Sequence, residues 1–235
     1  MFAGAAGSFA VLDVLSIFLT GPLGHDLRDF EHGDLRLVFD RIDSAGPRRL
    51  AEGPVRIFID WVMDDLSGLE MCRRLRADPR TGTAHITMVL EQDDGEDRRR
   101  ALEAGADDYL LGPLDREIVL DRILASHPGG HSRHATQVVR QGALEIDLLA
   151  QQARWAETAI MLRPNELRLL RFFAENPDRV LTRTELIAGL GKSEPPLDDR
   201  TVDVWIGRLR RALKCAGAGN PLRTVRAIGY VFDTR

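Results

Sequence analysis

Residues 198–214, DDRTVDVWIGRLRRALK, form the stretch that decides the fold of the C-terminal half of the chain. Their spacing predicts a helix with one apolar stripe, made of Val202, Trp205 or Ile206, Leu209 and Leu213. Arg200, Arg208 and Arg211 lie off that stripe. A helix with this pattern fits the major groove of DNA, where arginine can bind guanine edges and phosphates. Arginine on an exposed helix face is also common for solvation alone, so the pattern needs support from its surroundings.

That support comes from the segments on either side of the helix. LRTVRAIGYVF (222–232) predicts a hairpin around Ala227-Ile-Gly229 that carries Arg223 and Arg226. Upstream, Pro164-Asn-Glu opens one helix, and TRTELIAGL (182–190) predicts another that begins with a capping box. A helix followed at once by a basic hairpin is the winged helix-turn-helix arrangement.

The first half of the chain alternates short apolar runs with amphipathic segments. Strands are predicted at 14–19, 35–39, 55–60, 86–90 and 108–111. Helices are predicted at 68–78, 96–105 and 115–127, with a further one opening at Thr20-Gly-Pro22 that turns Leu23, Leu27 and Phe30 inward. This alternation predicts an α/β doubly wound domain with a five-stranded parallel sheet. Asp60 ends one of the strands, where sites in such sheets lie.

Charge is divided unevenly along the chain. Up to His134 there are 16 Arg and Lys against 24 Asp and Glu, and after it 16 against 12. This asymmetry indicates that the second half meets a polyanion, although chance could produce it. The only two lysines, Lys192 and Lys214, lie in the second half.

The remaining features favour a cytoplasmic protein of two domains. We predict domains at 1–127 and 138–235, joined by a Gly-, Pro- and His-rich linker at 128–137. Cys72 and Cys215 are far apart and fit neither a disulfide framework nor a metal site. The apolar N-terminus has no Lys or Arg before Arg28, so neither an export signal nor a membrane span is expected. We expect no metal and no cofactor.

Three stretches of the second domain resemble one known family. RPNELRLLRFFAENPDRVLTRTELI (163–187), DDRTVDVWIGRLRRAL (198–213) and RTVRAIGYVF (223–232) are similar to the effector domain of OmpR/PhoB-type response regulators. The resemblance implies an α+β winged-helix domain with 198–214 as its recognition helix. By position it assigns to double-stranded DNA the side chains Arg200, Thr201, Val204, Arg208 and Arg210, with Thr224 and Arg226 from the wing. Gly207 stands where arginine is common, which puts the sequence preference in doubt.

The first domain is similar to the receiver domain of the same family. FIDWVMDDLSGLEMCRRLR (58–76) places Asp60 at the phosphoacceptor position, and ALEAGADDYL (101–110) is the second match. The resemblance implies transfer of a phosphoryl group to that aspartate beside Mg²⁺. The surrounding positions depart from the pattern. The acidic pair is replaced by Leu19 and Thr20, the Ser/Thr by Glu91 and the lysine by Gly112; Asp64 stands where proline is usual.

These departures predict that Asp60 is an inactive relic. Magnesium lacks its anionic ligands, and the phosphoryl charge lacks its lysine. We expect Glu91 to stand close to Asp60 and repel a phosphoryl group. The resemblance also implies a two-fold dimer, with Arg98, Asp107, Asp108 and Arg122 at its interface. RNA polymerase is a second candidate partner, and no membrane partner is expected.

The resulting hypothesis is a DNA-binding transcription regulator that dimerises and acts without aspartyl phosphorylation. A conventional phosphorylation-dependent regulator, with Asp60 accepting the phosphoryl group from a sensor histidine kinase, remains the nearest alternative. An aspartate-nucleophile phosphatase would need a second aspartate two residues after Asp60, where Val62 stands. A winged helix that binds protein is the remaining class, and the arginines of 198–214 argue against it.

Overall fold

The computed structural model describes residues 13–21, 23–49, 51, 53–126, 138–148, 150–190 and 199–234. The predicted linker at 128–137 lies outside these ranges. The first domain contains β1 Asp13–Leu19, α1 Leu23–Asp26, β2 Phe30–His32, β3 Leu35–Arg41, β4 Val55–Asp60, α2 Gly68–Ala77, β5 His85–Leu90, α3 Gly95–Ala104, β6 Asp108–Leu111 and α4 Arg116–Ser126. The second contains β7 Val138–Gln141, β8 Leu144–Asp147, β9 Gln152–Trp155, β10 Thr158–Ile160, α5 Pro164–Glu175, β11 Leu181–Thr182, α6 Arg183–Gly189, α7 Asp199–Cys215, β12 Leu222–Val225 and β13 Gly229–Phe232.

The five predicted strands of the first domain are all present and parallel. Their sheet has the order β2-β3-β1-β4-β5-β6, in which only β2 runs antiparallel to its neighbour. Alternate side chains of β1 face opposite cores: Ile17 and Leu19 pack with α4 residues, and Phe18 packs with α2 and α3 residues. Because both faces of the sheet are buried, its strands are nearly continuous apolar runs in the sequence.

The predicted helix after β1 is wrong beyond its first turn. α1 has only four residues, and Phe30 begins β2, so the sheet has six strands and not five. Gly33, at φ +60°, turns the chain back so that Phe30 pairs with Leu37. The Phe30 ring also stacks on Phe39, with centroids 6.1 Å apart. Leu23, Leu27 and Phe30 still pack on one core, so their burial was foreseen and their conformation was not.

The connection between β3 and β4 contains no helix among its described residues. In a doubly wound sheet this crossover is usually helical, and its helix covers one face of the sheet. Here turns replace it, with an isolated bridge between Asp43 and Gly46. Ile42 and Ala51 pack on the core beneath. The face is therefore less covered than in a regular doubly wound domain.

The second domain has a four-stranded antiparallel sheet, three helices and a terminal hairpin. α7 buries the whole predicted stripe, and its core partners come from α5, α6 and β13. Trp205 is fully buried at the centre of this core. β12 and β13 form the predicted wing, and β13 also pairs with β11 ahead of α6. The wing is thus held in register with the helices.

Substitutions of two glycines, one in the wing and one in α7, test how closely each backbone is packed. A Cβ at Gly229 would lie 2.0 Å from the Leu181 carbonyl oxygen, whereas a Cβ at Gly207 would meet nothing within 4 Å. We expect Gly229→Ala to lower the free energy of unfolding by ~1–3 kcal/mol through overpacking. Gly207→Ala should raise it by ~1 kcal/mol, because alanine favours helix. Urea unfolding of the full chain, followed by circular dichroism, measures both, and equal effects of the same sign would contradict this geometry.

Candidate functional site

The face of α7 opposite its buried stripe carries the predicted DNA contacts. Thr201, Val204 and Arg208 follow one another at helical spacing on that face, and exposed Arg211 continues it. Arg200 also belongs to α7, but its side chain lies outside the described residues. Exposed Gly207 adds no side chain to this surface. The face is therefore polar and cationic, with a small apolar patch at Val204.

A cluster around Tyr230 fixes α7 relative to α6 and the wing. The Arg183 Nε of α6 donates to the Asp203 carboxylate of α7 at 2.9 Å, and the Tyr230 hydroxyl of β13 donates to the same oxygen. The Arg183 guanidinium also lies over the Tyr230 ring, 5.2 Å from its centroid. Sequence reasoning missed this cluster, because only the fold brings together residues 183, 203 and 230. The one sequence feature that could have indicated the cluster is Asp203, a carboxylate on a helix predicted to bind DNA.

Arg210 connects α7 to the wing. Its Nε donates to the Leu222 carbonyl oxygen at 2.8 Å, and its Nη2 donates to the Thr224 hydroxyl at 2.7 Å. Both contacts are within the second domain, so in this structure Arg210 and Thr224 position the hairpin. Arg226 is exposed at the wing.

The first domain covers much of the predicted DNA-binding face. Thr201 is only 2% exposed, and it lies with Val204 against α3 residues such as Leu102. The Arg208 guanidinium donates to the carbonyl oxygens of Leu102 and Ala106, the latter at 3.1 Å. The Leu102 oxygen belongs to the last turn of α3 and Ala106 follows the helix, a place where a positive charge is favoured by the helix dipole. A residue predicted to bind DNA thus closes the two domains onto each other.

The contact surrounds the buried carboxylate of Asp107, which is 1% exposed. Its Oδ2 accepts hydrogen bonds from Arg76 and from the backbone N–H of Ile86. Arg208 and Arg163 of the second domain approach its Oδ1 to 3.6 and 4.0 Å. Burial lowers the pKa of Arg208 to about 10, because Asp107 offsets only part of the desolvation and Arg163 repels it. Arg208 is therefore still charged at neutral pH.

Two further hydrogen bonds join the domains beside this cluster. Asn165, fully buried at the start of α5, donates from Nδ2 to the Asp107 carbonyl oxygen at 2.8 Å. Arg163 donates from Nη1 to the Gly105 carbonyl oxygen at 3.1 Å. Hydrogen bonds of this kind hold one relative orientation of the domains, because breaking them in a buried interface leaves their donors and acceptors without partners.

The residues predicted for a dimer interface make contacts within the chain. Arg122 and Asp108 form an ion pair at 3.6 Å, and both side chains are largely buried. Arg98 pairs with Asp93 and lies over the Tyr109 ring, 5.6 Å from its centroid. Arg98 also borders the groove that receives Thr201 and Val204. The surface around α3 therefore serves the domain contact in this structure.

The acceptor position lies in a cavity at the carboxyl edge of the sheet. Asp60 Oδ2 accepts a hydrogen bond from the Thr20 hydroxyl at 2.9 Å, and the Asp60 backbone N–H donates to the same hydroxyl oxygen at 2.8 Å. A Cβ at Gly21 would lie 2.6 Å from Asp60 Oδ2. Burial raises the pKa of Asp60, and the Thr20 hydrogen bond partly opposes that rise. Thr20, at a position where the receiver pattern has an acidic residue, therefore orients Asp60 through two hydrogen bonds.

The cavity has a volume of about 290 Å³. Its described lining residues are Thr20, Gly21, Arg41, Ile42, Asp43, Ser44, Asp60, Val62, Met63, Asp64 and Asp65. Leu19 is buried in the core, and Gly112 follows β6 without a charged side chain. Glu91 is exposed and does not belong to this lining, so the expectation that it repels anions at Asp60 has no support from the geometry. Four aspartates and Arg41 make the described lining acidic.

Neither a metal site nor a membrane span emerges from the described residues. In the described part of the chain, His, Cys, Asp and Glu form no group of three that could hold a metal ion. None of the helices that the structure describes combines the length and apolarity needed to cross a bilayer. Cys72 is buried and Cys215 is exposed, and both are free thiols.

Comparisons with known proteins agree with both domains. Residues 49–124 match the family model described as response regulator receiver domain, and residues 157–232 match transcriptional regulatory protein, C terminal. The phosphate regulon transcriptional regulatory protein PhoB of Rhizobium meliloti is 34% identical over 194 residues, which are 83% of this chain and 86% of that protein. Response regulator MprA of Mycobacterium bovis is 33% identical, over 77% of this chain and 79% of its own. Among solved structures, a cysteine mutant of RitR matches with a TM-score of 0.58 and 22% identity, over 94% of this chain and 99% of that one, which shows the shared fold.

A receiver sheet joined to a winged helix defines a response regulator, the class to which this fold and these matches point. The chain belongs to the OmpR/PhoB family, whose members are DNA-binding transcription regulators.

The partial burial of Asp60 generates a prediction about stability and pH. Because its pKa is raised in the folded chain, the ionised form opposes folding at pH values above that pKa. The amide of Asp60→Asn can keep the Thr20 hydrogen bond without a charge. We expect the variant to be more stable than the wild type at pH 7. That gain should shrink as the pH falls through the raised pKa toward the ordinary value of 3.8, where both states become protonated.

Urea unfolding across that pH range measures the gain. Glu157→Gln, at an exposed carboxylate, is the matched control and should show little pH-dependent gain. A gain for Asp60→Asn that grows toward low pH would contradict the assignment.

Proposed function

We propose that the protein regulates transcription by binding double-stranded DNA without aspartyl phosphorylation. The observation that carries the proposal is the acceptor cavity, in which the Thr20 hydroxyl holds Asp60 and acidic side chains outnumber Arg41 among the described lining residues. The conventional phosphorylated regulator is the alternative against which the tests below are set.

The electrostatics of this cavity disfavour a second anion at Asp60. A phosphoryl group adds nearly two negative charges at neutral pH. Asp43, Asp64 and Asp65 already line the cavity, and no lysine precedes Lys192 in the sequence. Arg98 is engaged with Asp93 and Tyr109. The groups that normally offset a phosphoryl charge are thus missing or occupied.

We propose a DNA interface made of the α7 face and the wing. Its contacts would be Arg200, Thr201, Val204, Arg208, Arg210, Thr224 and Arg226. In the closed arrangement the receiver domain covers Thr201, Val204 and Arg208, so major-groove binding requires the domains to separate. The equilibrium between closed and open forms then takes the place of phosphorylation as the controlled step.

Opening also frees the surface proposed for dimerisation. Arg98 borders the domain contact, and Asp107 lies at its centre. A two-fold dimer through α3, β6 and α4, including the Asp108–Arg122 pair, would therefore form in the open chain. Two winged helices would then reach neighbouring half-sites on one DNA duplex.

Treatment with a phosphodonor tests the phosphorylation-independent half of the proposal. Incubation of the full chain with acetyl phosphate and Mg²⁺ should give no mass increase at Asp60, because the cavity cannot offset the added charge. Beryllofluoride should leave DNA affinity unchanged, and Asp60→Ala should bind DNA as the wild type does. Labelling of Asp60 together with several-fold tighter DNA binding would establish the conventional switch instead.

A substitution at the domain contact tests whether closure controls DNA binding. Asn165→Ala removes one interdomain hydrogen bond, worth ~1 kcal/mol, so we expect up to about fivefold tighter DNA binding by the full chain. Asn176→Ala is the control, because it removes a similar bond, to the Phe172 carbonyl oxygen, together with an exposed bond from Arg179, and both bonds lie within the second domain.

The measurement is a fluorescence-anisotropy titration with a duplex selected from a random pool. Arg226→Ala in either background should weaken binding, because it removes a cation from the wing. If Asn165→Ala and Asn176→Ala change affinity equally, the domain contact does not control access to DNA.

A further inference from the structure

A second cavity lies between the two domains, away from Asp60. Its volume is about 370 Å³, within the roughly 300–1,000 Å³ typical of small-molecule sites. One wall is the helix-free connection between β3 and β4, a second is the turn before β5, and the third comes from the start of α5. Its described lining residues are Phe18, Pro47, Arg49, Ala51, Gly53, Pro54, Val55, Arg80, Thr81, Thr83, Ala84, Gln151, Leu162, Arg163, Pro164 and Leu167.

The lining combines an apolar surface with positive charge. Arg49, Arg80 and Arg163 are its charged members, and none of its described residues is acidic. Carboxylates outside the lining hold two of these arginines: Arg49 pairs with Asp40 at 3.0 Å, and Arg80 binds both oxygens of Asp78. A guanidinium has five N–H donors, so one carboxylate can orient it and leave donors for a ligand.

Arg163 lies deepest of the three and belongs to the second domain. Its pKa is lowered mainly by burial and then by repulsion from Arg76, while Asp107 and Glu166 act in the opposite sense. Arg76, Arg163 and Arg208 together surround the single carboxylate of Asp107. An anion beside Arg163 would offset this surplus of positive charge.

We propose that the cavity binds an amphipathic organic anion, a carboxylate, sulfonate or phosphate ester on an apolar ring or chain. The apolar part would pack against Phe18, Val55 and Leu167, and the anionic group would meet the arginines. Since the lining comes from both domains, the ligand can occupy this site only in the closed arrangement. Its binding therefore stabilises the form in which the receiver domain covers α7.

The consequence for DNA rests on the proposed function, whereas the binding site does not. A ligand that favours the closed form lowers DNA affinity, and DNA lowers ligand affinity by the same factor. The protein would then respond to a small molecule at a site separate from the degenerate acceptor cavity.

Two probes with the same ring and opposite charge test the site. Naphthalene-1-sulfonate and 1-naphthylmethylammonium are titrated against the full chain by ligand-observed NMR and by thermal unfolding. We expect the sulfonate to bind at least tenfold more tightly than the ammonium compound and to raise Tm. Equal binding of both probes, or binding of neither, would overturn the proposed site.

Variants locate the binding. Arg80→Gln and Arg163→Gln should each weaken sulfonate binding at least fivefold; exposed Arg80 can be replaced with little risk to folding. Thr83→Trp, at an exposed rim position, should block entry. Arg140→Gln is the matched control, because Arg140 is likewise exposed and paired with a carboxylate, Glu145, outside the cavity. Unchanged binding in all three cavity variants would overturn the proposal.

A DNA titration separates the site from its regulatory consequence. Saturating naphthalene-1-sulfonate should weaken DNA binding by the wild type and have a smaller effect on Arg80→Gln. Sulfonate binding without any change in DNA affinity would refute the coupling between the domains. Failure of the wild type to bind DNA at all, with sulfonate binding intact, would refute the proposed function and leave the ligand site standing.

Discussion

The buried carboxylate of Asp107 organises both the receiver domain and its contact with the effector domain. Within the receiver domain it binds Arg76, whose guanidinium also donates to the carbonyl oxygens of Gly105, Gly82 and Ala84. These bonds fix the end of α3 against the segment before β5. The carbonyl oxygens at the same end of α3 then receive Arg163 and Arg208. A carboxylate this deeply buried needs such partners, because an unpaired buried charge is strongly unfavourable. The position of α7 thus depends on an electrostatic requirement of the other domain.

Predictions from the sequence were most accurate where the pattern of a single helix or strand is sufficient to show which of its residues are buried. The stripe of α7 was recognised because side chains 3 and 4 positions apart share a helix face, and every member of it is buried. The helix after β1 was mispredicted, although Leu23, Leu27 and Phe30 do face one core. Their spacing fits a helix, but Gly33 allows a tight turn and Phe39 provides a stacking partner for Phe30. Local periodicity could not show that Phe39 is this partner, because Phe39 lies in a different strand, β3.

The candidate sites show the same limit. That no lysine precedes Lys192 was evident from composition, and the departure from an acidic pair at Leu19 and Thr20 was a prediction from position. The hydrogen bonds between Thr20 and Asp60 required the fold. Glu91 neighbours the acceptor position in an idealised sheet, but its side chain is exposed. For α7 the sequence identified a polar face without showing what covers it. Arg208 has the same pattern whether its partner is a phosphate or the end of a helix, since both present oxygen acceptors.

The double use proposed for Arg208, in DNA binding and in the domain contact, has a consequence for how such a protein can change over evolution. With the proposed DNA interface, a substitution at residue 201, 204 or 208 that suits a new operator also alters the surface that packs on α3. Operator preference and the strength of the resting state are therefore inherited together, and neither can drift freely while the other is preserved. A transplanted effector domain would bring its groove-reading side chains to a receiver domain shaped for different ones. Compensating changes near Leu102 and Ala106 should accompany any lasting shift in the genes that the protein controls.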